Sequence, residues 1–290
     1  MKVCVPNGTG RSFWWGGPPG LQPAPRPAFW DFLCGLVIQC AKADEGVGRG
    51  PGGPPHQKRV ASAIRTGIFC VALPALMWAA QSDLEMARDR QDRIALEKIA
   101  EQAGAAAQQA DNDPIAQYRA AVAYSDLAEV AQEQRDKAVV KRAAEAGIRS
   151  AERAVALKPD VAEYRRILGT LYGQIVPVNI LLGLSYGKKS QDSIAKALEL
   201  DPKSSEAYVS RGVGNFYVPA GFGGGLDLAI RDFQKAIELN PKSDEAYLWL
   251  GLAMRKSNRN AEARKAFSKS LELNPNRVWT KQQLEKTPAN

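Results

Sequence analysis

The sequence predicts an all-α fold, a solenoid of helix-turn-helix repeats in the C-terminal part of the chain. The first observation is self-similarity: Pro202–Tyr208 reads PKSSEAY, and Pro241–Tyr247 reads PKSDEAY. The second is an apolar segment that ends in proline, which recurs as ALELDP, AIELNP and SLELNP at residues 197–202, 236–241 and 270–275. Segments that recur at periods of roughly 20–50 residues are typical of solenoids, in which each unit buries its apolar face against the next.

Residues 1–59 precede the repeats and differ from them in composition. They are rich in glycine and proline, as in Gly50–Pro55, and they show neither helical nor strand periodicity. We interpret them either as a disordered Gly/Pro-rich leader or as residues that lie ahead of a true translation start near Val60.

Residues 60–82 have the layout of a secretory signal peptide. The apolar run Thr66–Ala80 follows three basic residues and precedes a polar segment. The run is shorter than the roughly 20 residues that span a bilayer, and Pro74 interrupts it. We therefore expect a bacterial periplasmic or secreted protein whose mature chain starts near Asp83 and has no integral membrane span after cleavage. An uncleaved anchor and a buried core helix are the alternatives.

The distribution of cysteine and histidine argues against catalysis in the repeats. All four cysteines and the single histidine, His56, lie before residue 81. Without them, the rest of the chain lacks the usual nucleophile-base pairs and the nitrogen and sulfur ligands of zinc. We predict no catalytic residue, no metal site and no cofactor, and a protein that is not an enzyme.

The net charge of +8 comes largely from the first part of the chain. Residues 1–80 hold 8 of the 39 Lys and Arg residues but only 3 of the 31 Asp and Glu residues. The remaining charges are nearly balanced and interspersed, whereas nucleic-acid binders usually cluster their basic residues. We therefore predict no nucleic-acid partner.

The recurring prolines divide the rest of the chain into repeats and caps. Four repeats are predicted at residues 115–159, 160–202, 203–241 and 242–275, and the first three carry insertions between their two helices. Residues 83–114 are predicted to form an N-terminal capping helix, with one Ala-rich helix from Arg90 to Ala110. Residues 276–290 are predicted to form a C-terminal capping helix and tail, in which Trp279 covers the last apolar face. Terminal repeats need such caps because they lack a neighbour on one side.

The last repeat carries small, apolar and proline residues at regular spacing. Gly251 and Ala263 let the two helices approach closely, and Pro275 ends the second helix. The full pattern is Tyr247, Leu250, Gly251, Ala263, Phe267, Leu271 and Pro275. It resembles the tetratricopeptide-repeat family, although Asn258 stands in the turn where that family usually has glycine. The Pro-x-x-Phe-Gly-Gly insertion Pro219–Gly224 is similar to one in exported bacterial proteins of the same family.

The resemblance implies a scaffold whose first helices line a concave groove. We expect an exported scaffold that binds a partner protein or peptide there. The alternative is a small-molecule carrier with a small apolar ligand, or an accessory subunit resembling those of TRAP-type transporters. A deep, closed apolar pocket would favour the carrier, and an open, shallow groove would favour the scaffold. The predicted groove residues are Arg166, Thr170, Gln174, Val209, Val213, Phe216, Tyr217, Leu252, Arg255 and Lys256.

A second candidate site lies on the insertions of the second and third repeats. Both insertions begin with a Val-Pro step, Val176–Pro177 and Val218–Pro219, and then carry apolar residues. We predict that they meet in one apolar patch, because a large exposed apolar patch tends to mark a binding surface. Mutual burial of these side chains as a satellite core is the alternative. The patch residues are Ile180, Leu181, Leu184, Tyr186 and Phe222.

Overall fold

The computed structural model describes residues 83–178 and 180–289, except for the side chains of residues 180–182 and 184. All of the described residues belong to one compact unit. The predicted leader and signal peptide lie outside the described residues.

The described residues form helices joined by turns and contain no strand, which confirms the predicted all-α fold. A short helical segment at residues 83–89 precedes α1. The helices that follow are α1 (Arg93–Gln109), α2 (Pro114–Glu133), α3 (Lys137–Leu157), α4 (Ala162–Ile175), α5 (Ile180–Leu200), α6 (Ser205–Tyr217), α7 (Leu226–Leu239), α8 (Asp244–Lys256), α9 (Asn260–Leu273) and α10 (Val278–Glu285).

Consecutive helices pack as pairs: α2 with α3, α4 with α5, α6 with α7, and α8 with α9. The extra residues of the earlier repeats are accommodated in two ways. In the second pair, a 3-10 turn at Val176–Val178 leads into α5, which has 21 residues where α9 has 14. In the third pair, the extra residues form a loop around the 3-10 turn Ala220–Phe222. The insertion of the second repeat therefore mainly lengthens its second helix.

Glycine is required where the two helices of a pair cross. A Cβ atom on Gly212 would lie 2.5 Å from the Phe233 ring, and one on Gly251 would lie 2.6 Å from the Phe267 ring. Both phenylalanines are fully buried. The spacing of small residues in the sequence thus reflects close backbone approach over a buried aromatic ring.

Three of the turns between helices share one geometry. Gln91, Arg135 and Asn258 each adopt a left-handed conformation, with φ between 55° and 63°. In each turn the next residue donates its N–H to the carbonyl five positions back, as Arg259 does to Met254 at 2.9 Å. This pattern ends a helix in a Schellman motif.

The same turn divides residues 83–114, which the sequence predicted as an N-terminal capping helix, and the predicted helix from Arg90 to Ala110 forms as α1 from Arg93 to Gln109. Asp92 follows the left-handed Gln91, accepts a hydrogen bond from the backbone N–H of Ala95, and caps α1, which begins at Arg93. Residues 83–89 and α1 therefore form a helix pair of the kind seen further along the chain.

The solenoid closes on itself, because the segment around α10 contacts the N-terminal helix pair. Asn274 Nδ2 donates to Asp89 Oδ2 at 2.8 Å, and Gln282 Nε2 donates to Gln91 Oε1 at 3.1 Å. Arg277 donates through Nη1 to the Arg88 carbonyl at 3.0 Å. We call this contact, between residues 274–282 and residues 88–91 together with the end of α2, the seam.

Arg277 is the central ion of the seam. Its Nη2 lies 2.5 Å from both Glu129 Oε1 and Glu133 Oε1 on α2. The side chains of Arg277 and Glu133 are only 3% and 2% exposed, so the pair is withdrawn from bulk water. Trp279 packs edge-on against Trp249 of α8, with ring centroids 5.6 Å apart.

Candidate functional site

The inner helices surround a cavity of about 1240 Å³. Its wall is formed mainly by the first helices of the four pairs, α2, α4, α6 and α8, with residues from α5 and from both sides of the seam. Because the seam joins the two ends of the solenoid, the concave surface lines a cavity that stays partly open to solvent.

The cavity wall combines aromatic, amide and charged side chains. The aromatic residues at the wall are Tyr118, Tyr217, Phe222, Trp249 and Trp279. The charged residues include Arg88, Asp126, Glu129, Glu133, Arg166, Arg211, Glu245 and Arg255. The pocket is therefore deep but not purely apolar.

Most arginines at the wall already have a partner. Arg166 Nη2 lies 2.6 Å from Glu163 Oε1, and Tyr118 donates its hydroxyl to the same oxygen at 2.9 Å. Burial and the Glu163 carboxylate raise the pKa of Tyr118 above its ordinary value. Arg211 forms a two-pronged pair with the buried Asp232.

Arg255 differs from these arginines because it binds amide groups rather than a carboxylate. It donates to the carbonyl and side-chain oxygens of Gln283 at 3.2 and 2.7 Å. Burial lowers its pKa, with no carboxylate to offset the effect.

Asp126, Glu206 and Glu245 are carboxylates of the wall for which the described residues provide neither a hydrogen bond nor an ion pair. Glu206 is exposed, whereas Asp126 and Glu245 are partly buried. Burial raises the pKa of Asp126 to about 7, although Arg88 acts in the opposite direction. Burial, and then the charge of Glu129, raise the pKa of Glu245. Both side chains face the cavity yet are enclosed by protein, so cavity water does not fully replace bulk solvation.

Glu133 behaves differently although its pKa is also raised to about 7. Burial is the main cause, and the charge of Arg277 opposes it. Glu133 accepts hydrogen bonds from Gln91 at 2.7 Å and from Arg277 at 2.5 Å. It therefore belongs to the seam.

An aromatic cluster forms the wall next to the seam. Phe216 lies edge-on to Tyr217 and to Trp249, with centroid distances of 5.1 and 5.8 Å. The Tyr217 side chain is 49% exposed and its hydroxyl accepts a hydrogen bond from Gln132 at 3.4 Å. In this cluster, the half-exposed ring of Tyr217 packs against Phe216, which in turn packs against Trp249.

Seven of the ten predicted groove residues lie at this wall, and their role in binding stays a prediction. They are Arg166, Thr170, Gln174, Val209, Val213, Tyr217 and Arg255. The other three lie elsewhere. Leu252 is buried in the core of the third and fourth pairs, Phe216 packs against that core, and Lys256 donates to the Phe216 carbonyl at 3.0 Å. Helical spacing alone does not separate the cavity face of α8 from its core face.

The predicted insertion patch is only partly covered by the described side chains. Tyr186 packs against Tyr172 at a centroid distance of 5.4 Å, next to the core of the second pair. Phe222 is 82% exposed and lines the cavity. The side chains of Ile180, Leu181 and Leu184 lie outside the described residues, so the patch remains a prediction.

Sequence reasoning missed Arg88, Asp126 and Arg277. A signal for Asp126 was present, because Asp126, Glu129 and Glu133 are spaced three and four residues apart and share one face of α2. Arg88 and Arg277 carry no local signal, since their contacts join segments 189 residues apart.

The described residues contain neither a metal-ligating cluster nor a helix that could span a membrane. No group of three or more His, Cys, Asp or Glu side chains is placed to hold a metal ion in that part of the chain. No helix there has both the length and the apolar character needed to cross a membrane.

Comparison with known proteins supports the repeat architecture. Residues 221–278 match the family model of the tetratricopeptide repeat. No curated protein matches the chain. Among solved structures, the chain is similar to TTC0263, a thermophilic tetratricopeptide-repeat protein of Thermus thermophilus. The identity is 18%, the match covers 71% of this chain and 99% of that one, and the TM-score is 0.51.

A second similar structure is YrrB, described as a tetratricopeptide-repeat protein with an unusual peptide-binding site. It is 19% identical, and the match covers 67% of this chain and 93% of that one with a TM-score of 0.38, too low to support an inference. The similarity to TTC0263 shows the fold alone. Together with the helix pairs, the glycine crossings and the match at residues 221–278, it identifies the chain as an all-α solenoid of the tetratricopeptide-repeat fold.

Proposed function

We propose that the protein is an exported, non-catalytic binding module that holds a segment of a partner protein or peptide in its central cavity. The observation that carries the proposal is the cavity itself, about 1240 Å³ in volume and lined by the first helices of all four pairs. Ligand pockets for small molecules usually measure about 300–1,000 Å³, so this cavity has room for more than a typical metabolite.

The chemistry of the wall fits a peptide. Tyr217 and Trp249 offer aromatic surface, and Arg255 has no carboxylate partner among the described residues. Tyr, Trp and Arg are the residue types that dominate binding energy at interfaces. Gln174 and Asn215 also line the wall, but Gln174 is hydrogen-bonded to Ser125 and Asn215 to Asp232, so a peptide backbone would have to share these amides.

A comparison of single variants tests this proposal. Tyr217→Ala and Arg255→Ala in the full chain should each weaken capture of a partner from the cell-envelope fraction, with Kd rising roughly 5- to 30-fold for a hot spot of about 1–2 kcal/mol. Lys196→Ala, an exposed change on α5 away from the cavity wall, should leave capture unchanged. Equal capture by all three variants, with melting temperatures intact, would place binding outside the cavity.

Export is the second part of the proposal and rests on the order of charges and apolar residues around residues 58–83. N-terminal sequencing of protein recovered from the cell envelope should give a start within a few residues of Asp83. A mature start before residue 60 would contradict it.

Carriage of a small molecule is the second candidate function, and closure of the solenoid at the seam favours it. Arg277 and its partners join the ends of the solenoid beside the cavity, and this arrangement suits a ligand that is held inside rather than threaded through. Native mass spectrometry of the protein from its source cells distinguishes the two functions. A bound mass of a few hundred daltons would favour the carrier, and a bound peptide or protein would favour the scaffold.

A further inference from the structure

Two carboxylates of the cavity lie on opposite arms of the closed solenoid. Asp126 belongs to α2 in the first pair, and Glu245 belongs to the first turn of α8 in the fourth pair. Both line the same cavity, and each acts electrostatically on the other. They are brought together by the seam, because α2 and α8 are far apart along the chain.

The bases around these two carboxylates are shared with other carboxylates. Arg88 is acted on most strongly by Asp126, then by Glu129 and Glu245, and least by Asp89. Arg88, Arg166 and Arg277 are the positively charged groups that act on Asp126 or Glu245. Within ion-pair distance, Arg277 holds Glu129 and Glu133, Arg166 holds Glu163, and Arg88 holds Asp89. The remaining charged neighbours, Glu129 and Asp244, are acidic and repel the two carboxylates.

An enclosed carboxylate without a partner is costly, so proteins usually pair it or keep it protonated. Burial raises the pKa of Asp126 to about 7 and shifts that of Glu245 upward. Neither group supports the helix pairs, whose cores are apolar. The cavity thus holds two acceptors that the described fold leaves unused.

We propose that Asp126 and Glu245 are the counter-ions of a bound organic cation, an alkylammonium or guanidinium group. The cation is the side chain of a lysine or arginine from the partner segment, so this inference rests on the proposed function and specifies its ligand. A metal ion fits less well, since the described residues contain no cluster of three metal-ligating side chains.

The charge of the chain makes such a site selective. Residues 81–290 hold 31 Lys and Arg residues and 28 Asp and Glu residues, so their nearly balanced surface as a whole does not attract an ammonium group. A cation in the cavity would meet two carboxylates that share Arg88 with Glu129 and Asp89, and it would stabilise their ionised forms. Binding should therefore release protons at pH 6 and release fewer at pH 8.

Calorimetric titration of the full chain at pH 8 provides the test. The probes are an N-acetylated, C-amidated peptide with two lysines flanked by alanines, the same peptide with both lysines Nε-acetylated, and 1,5-diaminopentane. The lysine peptide should bind and the acetylated peptide should bind at least tenfold more weakly. Tighter binding of the peptide than of the free diamine identifies a partner segment as the source of the cation. The reverse order keeps the cation site and assigns it to a free amine.

Variants locate the site. Asp126→Asn and Glu245→Gln should each weaken binding of the lysine peptide roughly tenfold, whereas Glu199→Gln, an exposed carboxylate paired with Lys196, should not change it. For the unmodified protein, Kd should fall roughly tenfold from pH 6 to pH 8, because a carboxyl with a pKa of about 7 ionises over that interval. This pH series needs no variant and covers the case in which a variant fails to fold.

Three results would overturn the inference: no binding of either cationic probe, equal binding of the acetylated peptide, or unchanged binding in both carboxamide variants. Its failure is separable from that of the proposed function. If partner capture depends on Tyr217 and Arg255 but is unaffected by Asp126→Asn and Glu245→Gln, the cavity binds a partner without using a cation.

Discussion

Helix α8 has two faces that are held in place by different kinds of contact. Toward α9 it presents Gly251, over which the buried ring of Phe267 packs. Toward the cavity it presents Glu245, Trp249 and Arg255. The first face is held by close packing within one repeat, and the second depends on groups supplied by distant parts of the chain. The contacts of the first face stabilise a single repeat, whereas the second face forms part of the surface that the closed solenoid offers for binding.

The largest expected effect is on the face that packs within the repeat. Phe267→Ala should lower the free energy of unfolding by about 3–5 kcal/mol, because it removes a fully buried aromatic ring and leaves a cavity. Phe222→Ala is the matched control: that ring is 82% exposed, and its loss should change stability by less than about 0.5 kcal/mol. Urea unfolding followed by circular dichroism measures both. Similar losses in the two variants would mean that Phe222 also packs in a core.

The second-largest expected loss of stability concerns the seam. Arg277→Ala leaves Glu129 and Glu133 facing each other without their base. We expect a loss of about 3 kcal/mol, at the low end for a broken buried ion pair, because Glu133 can take up a proton. Helical content should persist, since each helix pair has its own core, while the radius of gyration from small-angle X-ray scattering should increase.

Arg259→Ala is the control for the seam. Arg259 pairs with Glu262 on the exposed side of α9, where solvent screens the ion pair, so the free energy of unfolding should stay nearly unchanged. An Arg277→Ala protein with unchanged stability and an unchanged radius would show that the seam does not hold the ends together.

On the cavity face, we expect a substitution at Asp126 to raise the free energy of unfolding, the opposite sign to the two preceding changes. The folded-state pKa of Asp126 is about 7, above its ordinary value near 4, so the folded protein retains a proton that the unfolded chain loses. The contribution of Asp126 to stability is present below about pH 4 and is lost as the pH rises through 7. Asp126→Asn should therefore be more stable than the unmodified protein at pH 8, by about 1–2 kcal/mol because the side chain is open to the cavity.

The pH dependence of this difference is the measurement. The two proteins should converge near pH 4 and diverge up to about pH 7, and subtracting the curves removes the contribution of Glu133, which is common to both. A variant that is less stable at pH 8 would indicate that Arg88 pairs with Asp126 in solution.

The two kinds of face also differ in how far the sequence predicts them. Helix crossings were predictable because Gly212 and Gly251 each recur ten residues after a proline, and the requirement is local. Most inner-helix residues at the cavity wall were predictable for the same reason. The seam was not, because Arg277 meets Glu129 and Arg88 across most of the described chain, and no repeat pattern encodes a contact between the two ends.

The break before α1 was missed for a different reason. Gln91 occupies a left-handed turn position for which glutamine carries no sequence preference, whereas Asn258 at the corresponding turn is a residue that tolerates this conformation. The turn geometry is thus shared, but the residue type indicates it at only one of the two positions.

The smallest predicted effect concerns the turn between α2 and α3, which has the same geometry as the turns at Gln91 and Asn258. Arg135 joins α2 to α3 with a φ of 63°, a conformation that costs a residue with a side chain about 1–2 kcal/mol relative to glycine. Arg135→Gly should raise the free energy of unfolding by about 0.5–1 kcal/mol, since the greater freedom of glycine in the unfolded chain offsets part of the gain. Arg149→Gly, the same substitution inside the exposed face of α3, should instead lower stability by about 1 kcal/mol. Urea midpoints of the two variants should therefore shift in opposite directions. A loss of stability in both would mean that the Arg135 side chain holds the edge of the cavity, and that the cavity face, not only the repeat, limits the choice of residue in this turn.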